Sequence, residues 1–152
     1  MVKFEIYEFI RRTPEAVFDY FADPANLPQW QSYAEHAEWV SHGEPGVGSV
    51  FKVIASFGGN PQEVRLQVAI WERPYRYAFR SIDAPFPIKR LEGFTTLTAK
   101  DNGTSLAFKG QVALSAFFKL GESLVSKQLN KQDGANILLM KQALETGQSL
   151  NY

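Results

Sequence analysis

The feature that most constrains this chain is its last long stretch, Phe117 to Thr146, FFKLGESLVSKQLNKQDGANILLMKQALET. On a 3.6-residue wheel, Phe117, Phe118, Gly121, Leu124, Val125, Gln128, Gln132, Ala135, Leu139 and Ala143 fall in one stripe about 100° wide, the pattern of a helix with one face turned to a core. Lys119, Glu122, Lys127, Lys131, Lys141 and Glu145 lie at its flanks or opposite. Both ends of the stripe are apolar, while Gln128 and Gln132, with Asn136 at one edge, occupy its middle. Buried amides need partners. Two readings stay open: a helix interrupted near Gln132-Asp133-Gly134, where the glycine costs about 1 kcal/mol against alanine, or a helix whose central turns face a cavity.

The residues ahead of it read as the surface on which such a helix lies. Val2 to Ile10 alternates as a strand, with Val2, Phe4 and Ile6 on one face. Thr13-Pro14-Glu15-Ala16 is a helix start, with a hydroxyl N-cap and a proline at the first helical position. Val17, Phe18, Tyr20 and Phe21 supply its apolar side, and Asp23-Pro24 ends it, because the residue before proline resists helical angles. A second short helix or turn covers Ala25 to Trp30, and a short strand is expected over Glu38 to His42. After the turn Glu44-Pro45-Gly46-Val47-Gly48, five more strands follow: Ser49 to Phe57, Gln62 to Glu72, Arg76 to Ile82, Lys89 to Ala99 and Thr104 to Leu114. Asn102-Gly103 between the last two is a hairpin signal. Leu106, Phe108, Val112 and Leu114 share one face, opposite Ala107, Lys109 and Gln111, so one side of the sheet is covered and the other wet. One long helix cannot cover both halves of a strongly bent antiparallel sheet of this many strands, which implies space inside.

At 152 residues, with no repeat, linker or low-complexity tract, residues 1–152 read as a single domain able to bury a core without metal or disulfide. Sixteen basic residues balance sixteen acidic ones, so no overall field favours nucleic acid or an anionic membrane. The lack of cysteine excludes disulfides, thiolate nucleophiles and zinc–thiolate sites and suits a reducing cytoplasm. No apolar run approaches the roughly 20 residues that span a bilayer, and MVKFEIYEF carries charges where a signal peptide is apolar. The expectation is a cytoplasmic protein without an integral membrane segment. It would be a monomer, or a homodimer paired through an edge strand such as Val2 to Ile10 or Gln62 to Glu72.

The opening FIRRTPEAVFDYFADPANLPQW, the turn GEPGVGSVFKV, the hairpin EGFTTLTAKDNGTSLAF and the terminal helix together resemble the START-like (SRPBCC) helix-grip superfamily, in its bacterial polyketide cyclase/dehydrase and lipid-transport branch. The resemblance runs over essentially the whole chain. It implies an α+β helix-grip fold: a curved, seven-stranded antiparallel sheet wrapped around the C-terminal helix, two short helices after the first strand, and a hydrophobic ligand cavity between. The T-P-E-x-V-F, D-P-x-N-x-P-x-W and G-x-G elements shape the scaffold, and no catalytic residue carries over with them.

Residues able to do chemistry are few. His36 and His42 are the only imidazoles, six positions apart with no third partner, a poor metal-ligand pattern. No G-x-S-x-G elbow is present. Gly46 and Gly48 precede a strand, not a helix with exposed amides, so they are no phosphate loop. Asp19 and Asp23 sit one helical turn apart on the side away from the apolar face, as a solvated pair. Arg80, Lys89, Arg90 and Glu92 read as a solvated sheet face or a ring at a cavity mouth. Asp83 to Pro87, DAPFP, is a stiff loop or a lid. No metal and no cofactor are expected.

The function expected is binding of a small hydrophobic molecule (a lipid, polyketide-like or aromatic compound) by a carrier or sensor. Phe51, Val53, Phe57, Tyr77, Phe79, Phe94 and Phe108 would supply burial, at about 25 cal/mol per Å² before entropy costs. Trp30 and Tyr33 would form part of the entrance, and Gln128 and Gln132 would orient the ligand's polar end. The alternative is a cyclase- or dehydratase-like enzyme using the same cavity, where positioning and exclusion of water do much of the work.

Overall fold

A computed structural model describes residues 2–32, 34–57, 60–85, 88–115 and 122–146, and within these the side chains of all but residues 57, 122–130, 132 and 133. The elements are β1 (Val2–Ile10), α1 (Pro14–Ala22), a 3-10 turn (Pro24–Asn26), α2 (Leu27–Trp30), β2 (Ala34–Trp39), β3 (Val50–Phe57), β4 (Asn60–Glu72), β5 (Arg76–Asp83), β6 (Ile88–Lys100), β7 (Gly103–Leu114) and α3 (Glu122–Thr146). The strands form one curved antiparallel seven-stranded sheet in the order β1-β7-β6-β5-β4-β3-β2. This is the helix-grip arrangement that the resemblance implied.

Local chemistry explains the helical corner. Thr13 Oγ1 accepts from Ala16 N at 3.2 Å, with Pro14 at the first helical position, where its missing N–H costs nothing. Asp23 ends α1 and caps the 3-10 turn through Ala25 N, 3.0 Å. Asp19 is half of a two-bond clasp with Arg73 of the β4–β5 turn, at 2.7 and 2.8 Å. The C-terminal end of α3 is tied to the β1–α1 corner. Arg12 Nη1 donates to Leu144 O at 2.8 Å, satisfying a terminal carbonyl, and Lys141 pairs with Glu8 of β1 at 2.9 Å.

Several boundaries differ from those expected. The second strand is Ala34–Trp39, ahead of Glu38 to His42. A register shift between Ala34 and His36 breaks its period of two, so that the buried residues Ala34 and Ala37 stand three apart. Asn60 and Pro61 belong to β4, paired with Phe57 and Ser56, and the proline sits at the strand start, where a missing donor is tolerated. In the last hairpin Asp101 and Asn102 take positive φ, 46° and 64°, so they form the two-residue turn and Gly103 opens β7. The edge strands are β1 and β2; β4 lies inside the sheet and has no free edge for a dimer.

The terminal helix runs unbroken through Gly134, against the interrupted reading. Its C-terminal half is turned about one residue, roughly 100°, from the stripe expected. Asn136, Ile137, Met140, Ala143 and Leu144 are buried, while Ala135 and Leu139 are exposed. Ile137-Leu138-Leu139-Met140 covers the full helix circumference with apolar residues, so a wheel has no preferred phase there. Packing on β1, α1 and α2 decides it. Residues 117–121 of the expected helix lie outside the described residues.

Candidate functional site

The inner face of the sheet is read from its cross-strand pairs, whose side chains share a face. One row runs Ile6, Phe108, Thr95, Tyr77, Trp71 across five strands. The next runs Phe4, Gly110, Gly93, Phe79, Val68. At its centre two glycines face each other, and the rings of Phe79 and Phe4 lie over them. A Cβ on Gly93 would stand 2.5 Å from Phe79 Cζ, and one on Gly110 would run into the Phe4 ring. Absence of both side chains lets two aromatic rings lie close to the backbone and form a flat apolar floor. Val64, Val53 and Ala37, and beside them Leu66, Phe51 and Trp39, continue this face to the β2 edge.

Helical residues close over that floor. Phe21 of α1 is the hub: Trp30 stacks on it at 5.2 Å, and Tyr77 and Phe108 approach edge-on at 5.8 and 6.1 Å. Ring contacts continue from Tyr77 to Phe79 and on to Phe51. From α3, Ile137, Met140 and Leu144 join the same core.

Within this apolar interior the buried polar groups are unevenly served. Thr104 Oγ1 donates to Arg12 O at 2.7 Å, and Asn136 Nδ2 donates to Gln31 Oε1 at 2.7 Å. Trp30 Nε1 and Thr95 Oγ1 are fully enclosed with no hydrogen-bond partner, as is Ser115 Oγ at the end of β7. Burial alone pushes the Tyr77 phenol above its ordinary pKa, so it stays protonated at neutral pH. No Asp, Glu, His, Lys or Arg among the described residues is buried.

The expected site residues divide accordingly. Trp30, Phe51, Val53, Tyr77, Phe79 and Phe108 all belong to the interior. Phe94 does not. It alternates with the buried Gly93 and Thr95, its cross-strand partners are Ala78 and Lys109, and it is outside the core, so strand parity places it on the opposite face. Tyr33 and the side chains of Phe57, Gln128 and Gln132 lie outside the described residues. Sequence reasoning passed over Phe21 as a hub, Thr95 and Gln31, and left Asn136 at a stripe edge. For Thr95 the signal was available, since it shares parity with Gly93 and Leu97.

His36 and His42 are exposed, His36 lying 3.4 Å from Glu38. No group of three or more His, Cys, Asp or Glu among the described residues could hold a metal ion. No described helix is long and apolar enough to cross a membrane.

Residues 1–145 match the polyketide cyclase/dehydrase and lipid transport family. The chain belongs to that family. Among solved structures, TTHA0849 from Thermus thermophilus is similar at 19% identity and a TM-score of 0.80, covering 97% of this chain and 99% of that one. Ara h 8.0201 is similar at 17% identity and a TM-score of 0.72, covering 95% and 97%. The di-domain ARO/CYC StfQ from the steffimycin biosynthetic pathway is similar at 15% identity and a TM-score of 0.78, covering 96% of this chain and 51% of that one. At such identities these likenesses concern the fold. No curated protein sequence matches the chain. Family membership and these likenesses agree on the scaffold.

Proposed function

We propose that the space between the sheet and α3 binds one small, largely apolar molecule, as a carrier or sensor. The observation that carries this reading is the pair of enclosed, unpartnered polar atoms, Trp30 Nε1 and Thr95 Oγ1, in otherwise apolar surroundings. Each such group costs about 1–3 kcal/mol when nothing answers it. A ligand with an apolar body and a polar end answers both demands at once. Lipid, polyketide-like and aromatic compounds fit this description. A cytoplasmic setting suits a chain without cysteine, and β1 and β2 are the edges through which a homodimer would pair, if it is not a monomer.

A second reading, a cyclase or dehydratase acting on a poly-ketone, rests on Tyr77. It is a protonated phenol in the interior, able to donate a hydrogen bond to an enolate as it forms. Carrier and enzyme separate in one experiment. Saturable uptake of a neutral hydrophobic dye, displaced by aromatic ketones, is expected of both. Turnover of a poly-ketone mimic that falls in Tyr77→Phe is expected of the enzyme alone. Failure of any dye to saturate would remove both.

A further inference from the structure

Resting on the binding reading above, the two unpartnered hydrogen-bonding groups beside Phe21, Tyr77 and Phe108 can both donate. Trp30 Nε1 can only donate. Next to it, Gln31 Oε1 accepts from Asn136 Nδ2 at 2.7 Å. Thr95 Oγ1 has a proton to give. No buried Lys, Arg or His among the described residues supplies a positive charge beside them.

The backbone holds these groups in one neighbourhood. Trp30 and Gln31 are consecutive at the end of α2, where Gln31 N closes the turn onto Leu27 O at 2.8 Å. Thr95 lies on the floor between Tyr77 and Phe108, its cross-strand partners. Both of those rings touch Phe21, on which Trp30 stacks.

Neutral and charged acceptors fare differently in such a place. A ketone, quinone or ester oxygen accepts from N–H and O–H donors and brings no charge to desolvate. A carboxylate would give up its hydration without a counter-charge, which costs more than neutral donors return. A plain hydrocarbon leaves the donors unanswered. We propose that Trp30 Nε1 and Thr95 Oγ1 form a donor set selecting neutral, carbonyl-bearing apolar ligands over carboxylates and hydrocarbons of the same shape.

The test is displacement of bound Nile red by three compounds of nearly equal shape: 2-acetylnaphthalene, 2-ethylnaphthalene and 2-naphthoate. The ketone is expected to bind about 3–10-fold more tightly than the hydrocarbon, the worth of a net hydrogen bond, with the carboxylate weakest. Trp30→Phe and Thr95→Val should each bring the ketone-to-hydrocarbon affinity ratio toward one, while retained hydrocarbon binding reports a folded protein. Naphthoate binding as tightly as the ketone, or a ratio unmoved in both variants, would overturn the donor set while leaving the binding reading intact. If neither Nile red nor any of the three compounds saturates, the binding reading falls and the selectivity with it.

Discussion

The interior under α1 and the interior beside α2 share one sheet, yet they are finished differently. Under α1, Phe18 is 1% exposed and sits edge-on to Trp71 at 5.1 Å and to Tyr77 at 6.0 Å, with Val17, Ile10 and Leu106 completely enclosed. The buried polar side chain at this end, Thr104, is satisfied by Arg12 O. Beside α2, the buried set includes Trp30, Gln31, Thr95 and Asn136; Gln31 and Asn136 bond each other, while Trp30 Nε1 and Thr95 Oγ1 are left unpartnered. A region with every contact filled contributes stability. One with enclosed donors left over gives some up.

The largest effect expected is at the filled end. Phe18→Ala should destabilise the fold by about 3–5 kcal/mol, read from urea unfolding, because rings on two strands and α1 lose a common neighbour. A cost below about 1 kcal/mol would mean that this end is not the dry part of the core. Next comes the amide pair. Asn136→Ala should cost about 1–3 kcal/mol by stranding Gln31, whereas Gln31→Met combined with Asn136→Leu should be closer to neutral. Equal losses in the single and double variants would show that the pair is not coupled.

A smaller effect is tied to pH. Burial raises the Tyr77 pKa above its reference of 10.0, so above about pH 10 the unfolded chain releases a proton that the folded one keeps. Stability is then fully present below pH 10 and lost as pH rises, by up to about 1.4 kcal/mol per pH unit. The Tyr77→Phe variant should lose this alkaline slope, as measured by unfolding at pH 9, 10 and 11. The smallest effect is at Thr95. Thr95→Val removes an unanswered hydroxyl without opening a cavity and should fall within about 1 kcal/mol of the parent, on the stabilising side. A marked loss would show that Thr95 Oγ1 has a structural partner.

Much of this organisation was legible because strands with one wet face advertise their parity. Leu106, Phe108, Val112 and Leu114 are buried as their alternation requires, and Thr13-Pro14 starts α1 where the capping chemistry places it. Misreadings arose where the local signal was degenerate. The four-residue apolar run in α3 has no preferred phase, the register shift in β2 hides its alternation, and Phe94 attracts attention by hydrophobicity while its parity points outward. Of the candidate site, the aromatic lining could be read from composition and alternation. The donor set could not, because Trp30 and Thr95 are brought together only through Phe21, Tyr77 and Phe108, rings of three separate elements.

The most direct test of the central claim asks where a ligand sits. With methyl-labelled protein and one equivalent of 2-acetylnaphthalene, intermolecular NOEs are expected to the methyl groups of Thr95, Val53 and Met140, all on the enclosed face. NOEs confined to exposed methyls such as those of Val47 and Ile82, or none to the enclosed set at saturation, would contradict an interior binding site.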